Sequence, residues 1–171
     1  MQSFLKHPRR KRGFTLIESA MAIIIVGVGT LGTLELIARG TGANANAANL
    51  TTGLNLARNI KELSLSLAFN DGTTPGTFGL DSGESANNPL TFDDVNDLNG
   101  LTFNPPLDSD RKSQAAFSDW SQTVTVQSVD PDKLTTVVPN GSTPADRLTV
   151  TIYHHGIKVC ELAWCVFDGT P

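Results

Sequence analysis

The sequence is poor in the residues from which enzymes usually assemble catalytic sites. Its 171 residues include two cysteines, three histidines and one tyrosine. It shows no nucleophile-and-base motif, no glycine-rich phosphate loop and no HExxH helix. The sequence therefore predicts no catalytic residue, no metal centre and no cofactor, and a protein that is not an enzyme.

Positive charge is concentrated at one end of the chain. Five basic residues lie between Lys6 and Arg12, and the rest carries 8 Lys and Arg against 17 Asp and Glu, a formal net charge of −9. No cluster of Lys and Arg follows Arg12, and nucleic-acid binding needs such a cluster on one face. We therefore predict no nucleic-acid partner.

An apolar run follows the basic residues. Residues 14–38 supply the ~20 residues that a helix needs to cross a bilayer, and Ser19 to Leu34 carries no charge. Glu18, near the start of the apolar run, is unexpected there, because a charged side chain inside a membrane costs roughly 2.5–3.5 kcal/mol on insertion scales. Basic residues stay on the cytoplasmic side, so we expect a single crossing with the N-terminus in the cytoplasm.

The order of the basic leader, Gly13, Phe14 and Glu18 resembles the prepilin cleavage motif of type IV pilin-like proteins. This family includes pilins, minor pilins and the pseudopilins of type II secretion. The resemblance implies that prepilin peptidase cuts after Gly13 and N-methylates Phe14. It also implies that Glu18 meets the freed amine of a neighbouring subunit and sets the register of a helical fibre. Neutralisation of Glu18 by Phe14 of the same chain is the alternative, and the sequence does not separate the two.

Within that family, residues 14–69 look most like the pilus modification minor pilins and the minor pseudopilin of the I type. The features are GFTLIE at Gly13 to Glu18, a glycine-rich second half of the apolar run, and Leu56-Ala57-Arg58 running into Glu62. The resemblance implies other pilin or pseudopilin subunits and inner-membrane lipid as partners. The subunit would prime, cap or decorate a periplasmic or cell-surface fibre for adhesion, motility, DNA uptake or secretion. Many major pilins have a proline near the position of Glu35, where this chain has none.

An ordinary secretory signal peptide is the main alternative. Ala43 to Ala47 offers A-x-A sites, and cleavage near Ala45 would release a secreted or periplasmic binding domain. Against it, the apolar region exceeds the usual 7–15 residues of a signal core, and Glu18 and Glu35 interrupt it. A membrane-anchored protein that never polymerises is a third possibility.

We divide the chain into a cleaved leader (1–13), a membrane and polymerisation half-helix (14–38), an amphipathic half-helix (39–69) and a loop-rich β domain (70–171). In the second half-helix, apolar residues recur at spacings of three and four, which predicts a stripe packed on the following domain. The stripe comprises Leu50, Leu54, Ala57, Ile60, Leu63 and Leu67. Turn residues from Asn70 to Gly76 are expected to end the helix.

The C-terminal part predicts an antiparallel sheet after an irregular connection over residues 70–118. Alternating or apolar segments predict strands at 123–129, 134–138, 148–153 and 157–167, with a hairpin turn at His154 to Gly156. A long helix followed by these strands gives an α+β fold, with the N-terminal helix packed on a C-terminal antiparallel β-sheet. This is the pilin-like architecture that the resemblance implies.

Two polar features have more than one interpretation. The acidic segment Asp93 to Gly100 resembles segments of some minor pilin-like proteins and contains the oxygen ligands that calcium prefers. Its glycine is wrongly spaced for an EF-hand loop, and we favour a solvated Asx-rich turn or helix start.

Cys160 and Cys165 are the second such feature. In a straight strand their odd spacing places them on opposite faces, about 16 Å apart at ~3.3 Å per residue. A disulfide needs Cα atoms within about 7 Å, so it requires a sharp bend at residues 161–164. Both states stay open.

Overall fold

The computed structural model describes residues 13–70 and 77–169. The basic leader before Gly13 and the predicted turn residues 71–76 lie outside the described residues. The chain forms two compact units, Met1–Ala45 and Asn46–Pro171. Its regular elements are α1 (Leu16–Ser64), β1 (Thr102–Phe103), β2 (Trp120–Asp130), β3 (Lys133–Val137), β4 (Ala145–His154) and β5 (Ile157–Phe167). The predicted α+β fold is confirmed.

The first unit, described from residue 13 to residue 45, consists mainly of the N-terminal part of α1. Its large apolar side chains are exposed on every side of the helix, from 91% for Leu16 to 57% for Ile37. A helix that is apolar all round needs an apolar environment. By length and composition, α1 is suited to cross a membrane.

In the second unit, α1 packs on the sheet through a stripe that differs in part from the predicted one. The buried residues are Gly53, Leu56, Ala57, Ile60, Leu63 and Ser64. Burial of Ala57, Ile60 and Leu63 is confirmed, whereas Leu50 is 44% exposed and Leu54 and Leu67 are half-buried. The prediction was wrong for Leu50 and Leu54, which lie outside the core cluster, whereas Leu67 packs against that cluster from beyond the end of α1.

The end of α1 was also predicted wrongly, since the helix stops at Ser64 and not near Phe69. The Ser64 hydroxyl donates to the Lys61 carbonyl at 2.7 Å, and the Ser66 hydroxyl donates to the Leu63 carbonyl at 2.7 Å. Such hydroxyls offer the backbone an alternative to continued helix. Ala68 then forms a parallel bridge with Asp94, which ties the exit of the helix to the irregular connection.

The sheet is antiparallel, with the order β1–β2–β4–β5 and β3 paired to the end of β2. Its longest ladders join β2 to β4, with Val124 opposite Val150, and β4 to β5, with Val150 opposite Leu162. The predicted β4–β5 hairpin is confirmed. Its turn residues His155 and Gly156 both have positive φ, 50° and 75°, as a two-residue turn that matches strand twist requires.

A buried glutamine connects three parts of the second unit. Gln122 on β2 is completely buried. Its Nε2 donates to the carbonyls of Leu56 (2.8 Å) and Leu107 (3.1 Å), and its Oε1 accepts from the Leu107 N–H at 2.8 Å. A buried amide is tolerated when it is fully hydrogen-bonded. This side chain therefore fixes the irregular connection against both α1 and the sheet.

Replacement of Gly53 tests how closely α1 approaches β5. A Cβ at this position would lie 2.9 Å from Cys160 Sγ and 3.2 Å from Val159 Cγ1. We expect Gly53→Ala to destabilise the folded protein by about 1–3 kcal/mol through overpacking, measured by urea unfolding of the full chain in detergent.

Gly42→Ala is the matched control, because a Cβ there meets nothing within 4 Å and alanine favours a helix. Cys160→Ala removes the nearest atom, so the Gly53→Ala/Cys160→Ala pair should show favourable coupling in a double-mutant cycle. Equal stability of Gly53→Ala and the parent protein would contradict the close approach.

Candidate functional site

The first turn of α1 is held by a reciprocal pair of hydrogen bonds between Thr15 and Glu18. The Glu18 N–H donates to Thr15 Oγ1 at 3.3 Å, and the Thr15 N–H donates to Glu18 Oε2 at 3.4 Å. This arrangement is a capping box, in which two backbone donors at the helix start find side-chain acceptors. Gly13 to Thr15 lie before the helix, which begins at Leu16.

The capping box turns the Glu18 carboxylate towards the N-terminal end of the helix. A negative charge is favourable there, because the exposed N–H groups give the helix start a partial positive charge. Sequence reasoning selected Gly13, Phe14 and Glu18 but missed Thr15. The signal was present, since Thr15 and Glu18 form the T-x-x-E pattern of a capping box.

The residues around the predicted cleavage site are accessible. Phe14 is 78% exposed and Leu16 is 91% exposed, and Gly13 has open space where a Cβ would lie. The Gly13–Phe14 bond precedes the first helical turn, and the helical hydrogen bonds begin at the Thr15 carbonyl, which accepts the Ser19 N–H at 3.1 Å. This geometry suits a peptide bond that is presented to an enzyme.

Replacement of Thr15 by valine should loosen the first turn of α1. Loss of the cap costs about 1 kcal/mol, which corresponds to roughly fivefold faster amide hydrogen exchange at Glu18 and Ser19. The measurement is exchange of the full-length protein in detergent micelles. Thr30→Val is the matched control, because its hydroxyl donates to Val26 within the helix. Unchanged exchange at Glu18 would argue against the capping box.

The acidic segment at 93–100 is a helix start, as expected, but only its ends are solvated, since Asp93 and Gly100 are exposed and residues 94–98 are buried. Asp94 Oδ1 accepts the N–H groups of Asn96 (2.7 Å) and Asp97 (3.2 Å). Asp97 Oδ2 accepts those of Asp93 (2.9 Å) and Asp94 (3.0 Å). Asp94, Asn96 and Asp97 are at most 4% exposed. The predicted solvation was wrong for these three residues, because Asp94 satisfies N–H groups of the 3-10 helix at Asn96–Leu98 and Asp97 satisfies those of the residues before it.

Several carboxylates converge at this turn. Oxygens of Glu84, Asp93 and Asp97 lie within 4.8 Å of one another, and Glu84 Oε2 accepts the Asp81 N–H at 2.7 Å. The pKa of Asp97 is raised from 3.8 to about 7. Burial is the largest cause, and the hydrogen bond to Glu84 and the charge of Asp94 add to it, while the N–H donors of Asp94 and Asp93 act in the opposite direction. Oxygen clusters also suit hard cations, but the turn itself accounts for the positions of Asp94 and Asp97.

The raised pKa of Asp97 predicts a characteristic pH dependence of stability. Between pH 3.8 and about 7 the folded state holds a proton that the unfolded chain has lost. Stability therefore falls as pH rises through this window, by at most about 1.4 kcal/mol per pH unit for one proton. We expect Asp97→Asn to remove this component, measured as the difference in unfolding free energy from the parent protein at each pH.

Asp132→Asn is the control for that series, since Asp132 is exposed. The unfolding free energy of Asp132→Asn should depend on pH with the same slope as that of the parent protein. If the unfolding free energies of Asp97→Asn and the parent protein depend on pH in the same way, the pKa of Asp97 is not raised.

Cys160 and Cys165 are both free thiols, so the disulfide that the sequence left open is not formed. β5 runs without a turn between them, and they pair with Ile152 and Arg147 of β4, respectively. Cys160 packs towards α1, where burial raises the pKa of its thiol. A half-buried thiol with a raised pKa is a poor nucleophile, so Cys160 acts as a packing residue at the edge of the core.

Comparison with known proteins gives one match. Residues 8–34 match the family model of the prokaryotic N-terminal methylation motif. The match spans the end of the leader, the Gly13–Phe14 junction, Glu18 and the charge-free run to Leu34. No curated protein and no solved structure matches the chain.

Proposed function

Because residues 8–34 carry the methylation motif of type IV pilin-like proteins, we propose that this chain is a minor pilin or pseudopilin subunit. Prepilin peptidase processes it after Gly13, and it joins a type IV pilus or a type II secretion pseudopilus. The protein is then a substrate of that peptidase with a structural role in fibre assembly. The motif match is the observation that carries the proposal.

The geometry of the first unit supports this proposal. Phe14 and the apolar side chains that follow it are exposed. Exposed apolar side chains suit a segment that first lies in lipid and later packs against other subunits. Glu18 lies at the N-terminal end of α1, where the capping box turns it towards the residue that cleavage would make terminal. An opposite charge on a freed amine would favour the ionised carboxylate.

The parts of the chain then have distinct roles. The segment 14–38 anchors the precursor in the inner membrane, with the N-terminus in the cytoplasm, and later forms the fibre core. The rest of α1 and the β domain lie in the periplasm or on the cell surface. The partners are prepilin peptidase, inner-membrane lipid and other pilin or pseudopilin subunits, and adhesion or secretion is the process served.

The test is the N-terminus of the protein recovered from cells with and without prepilin peptidase. Intact mass and N-terminal sequencing should show a chain that starts at methylated Phe14. Loss of the peptidase, or replacement of Gly13 by valine, should leave the leader attached. An unprocessed chain in cells with active peptidase would overturn the proposal.

Glu18→Ala separates processing from assembly in the same experiment. The variant should be cut and methylated like the parent protein but be depleted from sheared fibres. Glu18→Gln keeps the hydrogen-bonding shape of the capping box without the charge, so it distinguishes helix capping from charge pairing between subunits. Normal incorporation of both variants would show that Glu18 is not needed for assembly, whereas absence of the processed parent protein itself from sheared fibres would favour a membrane-anchored protein that does not polymerise.

One observation favours a second candidate, a secreted or periplasmic binding domain. The boundary between the two compact units falls between Ala45 and Asn46, which is where the alanine-rich segment offers a signal peptidase site. However, Ala45 lies inside α1. A mature chain that starts near Asn46, independent of prepilin peptidase, would establish this candidate.

A further inference from the structure

Charge is almost absent from a long stretch of α1. From Ser19 to Ala57 the chain contains two charged residues, Glu35 and Arg39. The next charge is Arg58, in the part of the helix that packs on the sheet. Glu35 and Arg39 are therefore the only charged residues between Ser19 and Ala57 that can mark the end of the apolar run.

The two side chains form an ion pair one helical turn apart. Arg39 Nε and Nη2 donate to the same oxygen, Glu35 Oε1, at 3.2 and 2.7 Å. Both side chains are exposed, at 78% for Arg39 and 64% for Glu35. A guanidinium carries five N–H donors, so Glu35 orients Arg39 and leaves donors for another acceptor.

The position of the pair matches the thickness of a bilayer. The helical rise from Leu16 to Glu35 is about 28 Å at ~1.5 Å per residue, which is close to the usual hydrocarbon thickness of ~30 Å. If Leu16 lies at one surface of the membrane, then Glu35 and Arg39 lie at the other. Lipid phosphate groups are found there, and arginine binds phosphate with strong charge-assisted hydrogen bonds.

We propose that the Glu35–Arg39 pair is a lipid head-group site that fixes how deeply the apolar segment sits in the membrane. Glu35 holds the guanidinium, and its remaining donors bind phospholipid phosphate at the outer surface. This inference rests on the proposed function, because that function places residues 14–38 in the inner membrane.

Hydroxyl-radical labelling of the full-length protein in phospholipid vesicles tests the site. Mass spectrometry reads the oxidation of Leu34, Leu36 and Ile37. Arg39→Gln leaves Glu35 without its cation, so the segment should move outwards and labelling of Leu34 should rise at least about twofold. Glu35→Gln/Arg39→Gln removes both charges, so the segment should sink and labelling of Leu36 and Ile37 should fall at least about twofold.

Arg58→Gln is the matched control, because Arg58 is an exposed arginine of the same helix beyond the apolar run. It should leave the labelling of all three residues unchanged. In galactolipid vesicles, which lack phosphate, the fall caused by the double variant should shrink by at least about half, since phosphate is the acceptor that a guanidinium prefers.

The outcomes separate this inference from the function on which it rests. Identical labelling of the parent protein and both variants in phospholipid overturns the boundary role. An equal change in galactolipid and phospholipid overturns the phosphate contact. Leu31 lies within the apolar run and Leu50 lies beyond it. Equally strong labelling of the two would show that residues 14–38 are not in the membrane, which would overturn the proposed function and the head-group site together.

Discussion

The second unit depends on the burial of one face of α1 against the inner face of the sheet. Leu56, Ile60 and Leu63 are at most 2% exposed. Each such side chain stabilises the fold by about 1.5–3 kcal/mol when it leaves water, against a net stability of about 5–15 kcal/mol for a typical domain. Gly53 sets the distance at which this contact can form, because Cys160 Sγ occupies the space that a larger residue would need.

Polar side chains hold the irregular connection between α1 and β2, which apolar packing alone does not fix. The connection between α1 and β2 contains short 3-10 helices and one two-residue strand, so its backbone has few regular partners. Gln122 satisfies both the N–H and the carbonyl of Leu107, and Arg111 donates to the Phe92 carbonyl at 2.7 Å. Asp94 and Asp97 serve the turn in the same way. Buried backbone groups need such partners, and this explains why charged and amide side chains lie inside an irregular segment.

The sequence predicts those parts whose pattern is local. The β4–β5 hairpin follows from alternating apolar residues on either side of a short turn, and both strands appear in the structure. The start of the helix is equally local, because Thr15 and Glu18 act on their own turn. The raised pKa of Asp97 was not predictable in this way, since it depends on burial in the folded turn and on a hydrogen bond to Glu84, which is distant in sequence. The end of α1 was missed because the bridge from Ala68 to Asp94 is also non-local.

In the described part of the first unit, the threonines and the charged side chains find hydrogen-bond partners within α1 or at its start. Thr30 donates to the Val26 carbonyl and Thr33 to the Gly29 carbonyl, each at 2.8 Å. The capping box and the Glu35–Arg39 pair also join residues three or four apart. A helix in lipid has no water to satisfy such groups. Pairing within the helix meets this condition for the threonines, because their acceptors are carbonyls one turn back along α1, so these hydroxyls can enter an apolar environment with their hydrogen bonds already made.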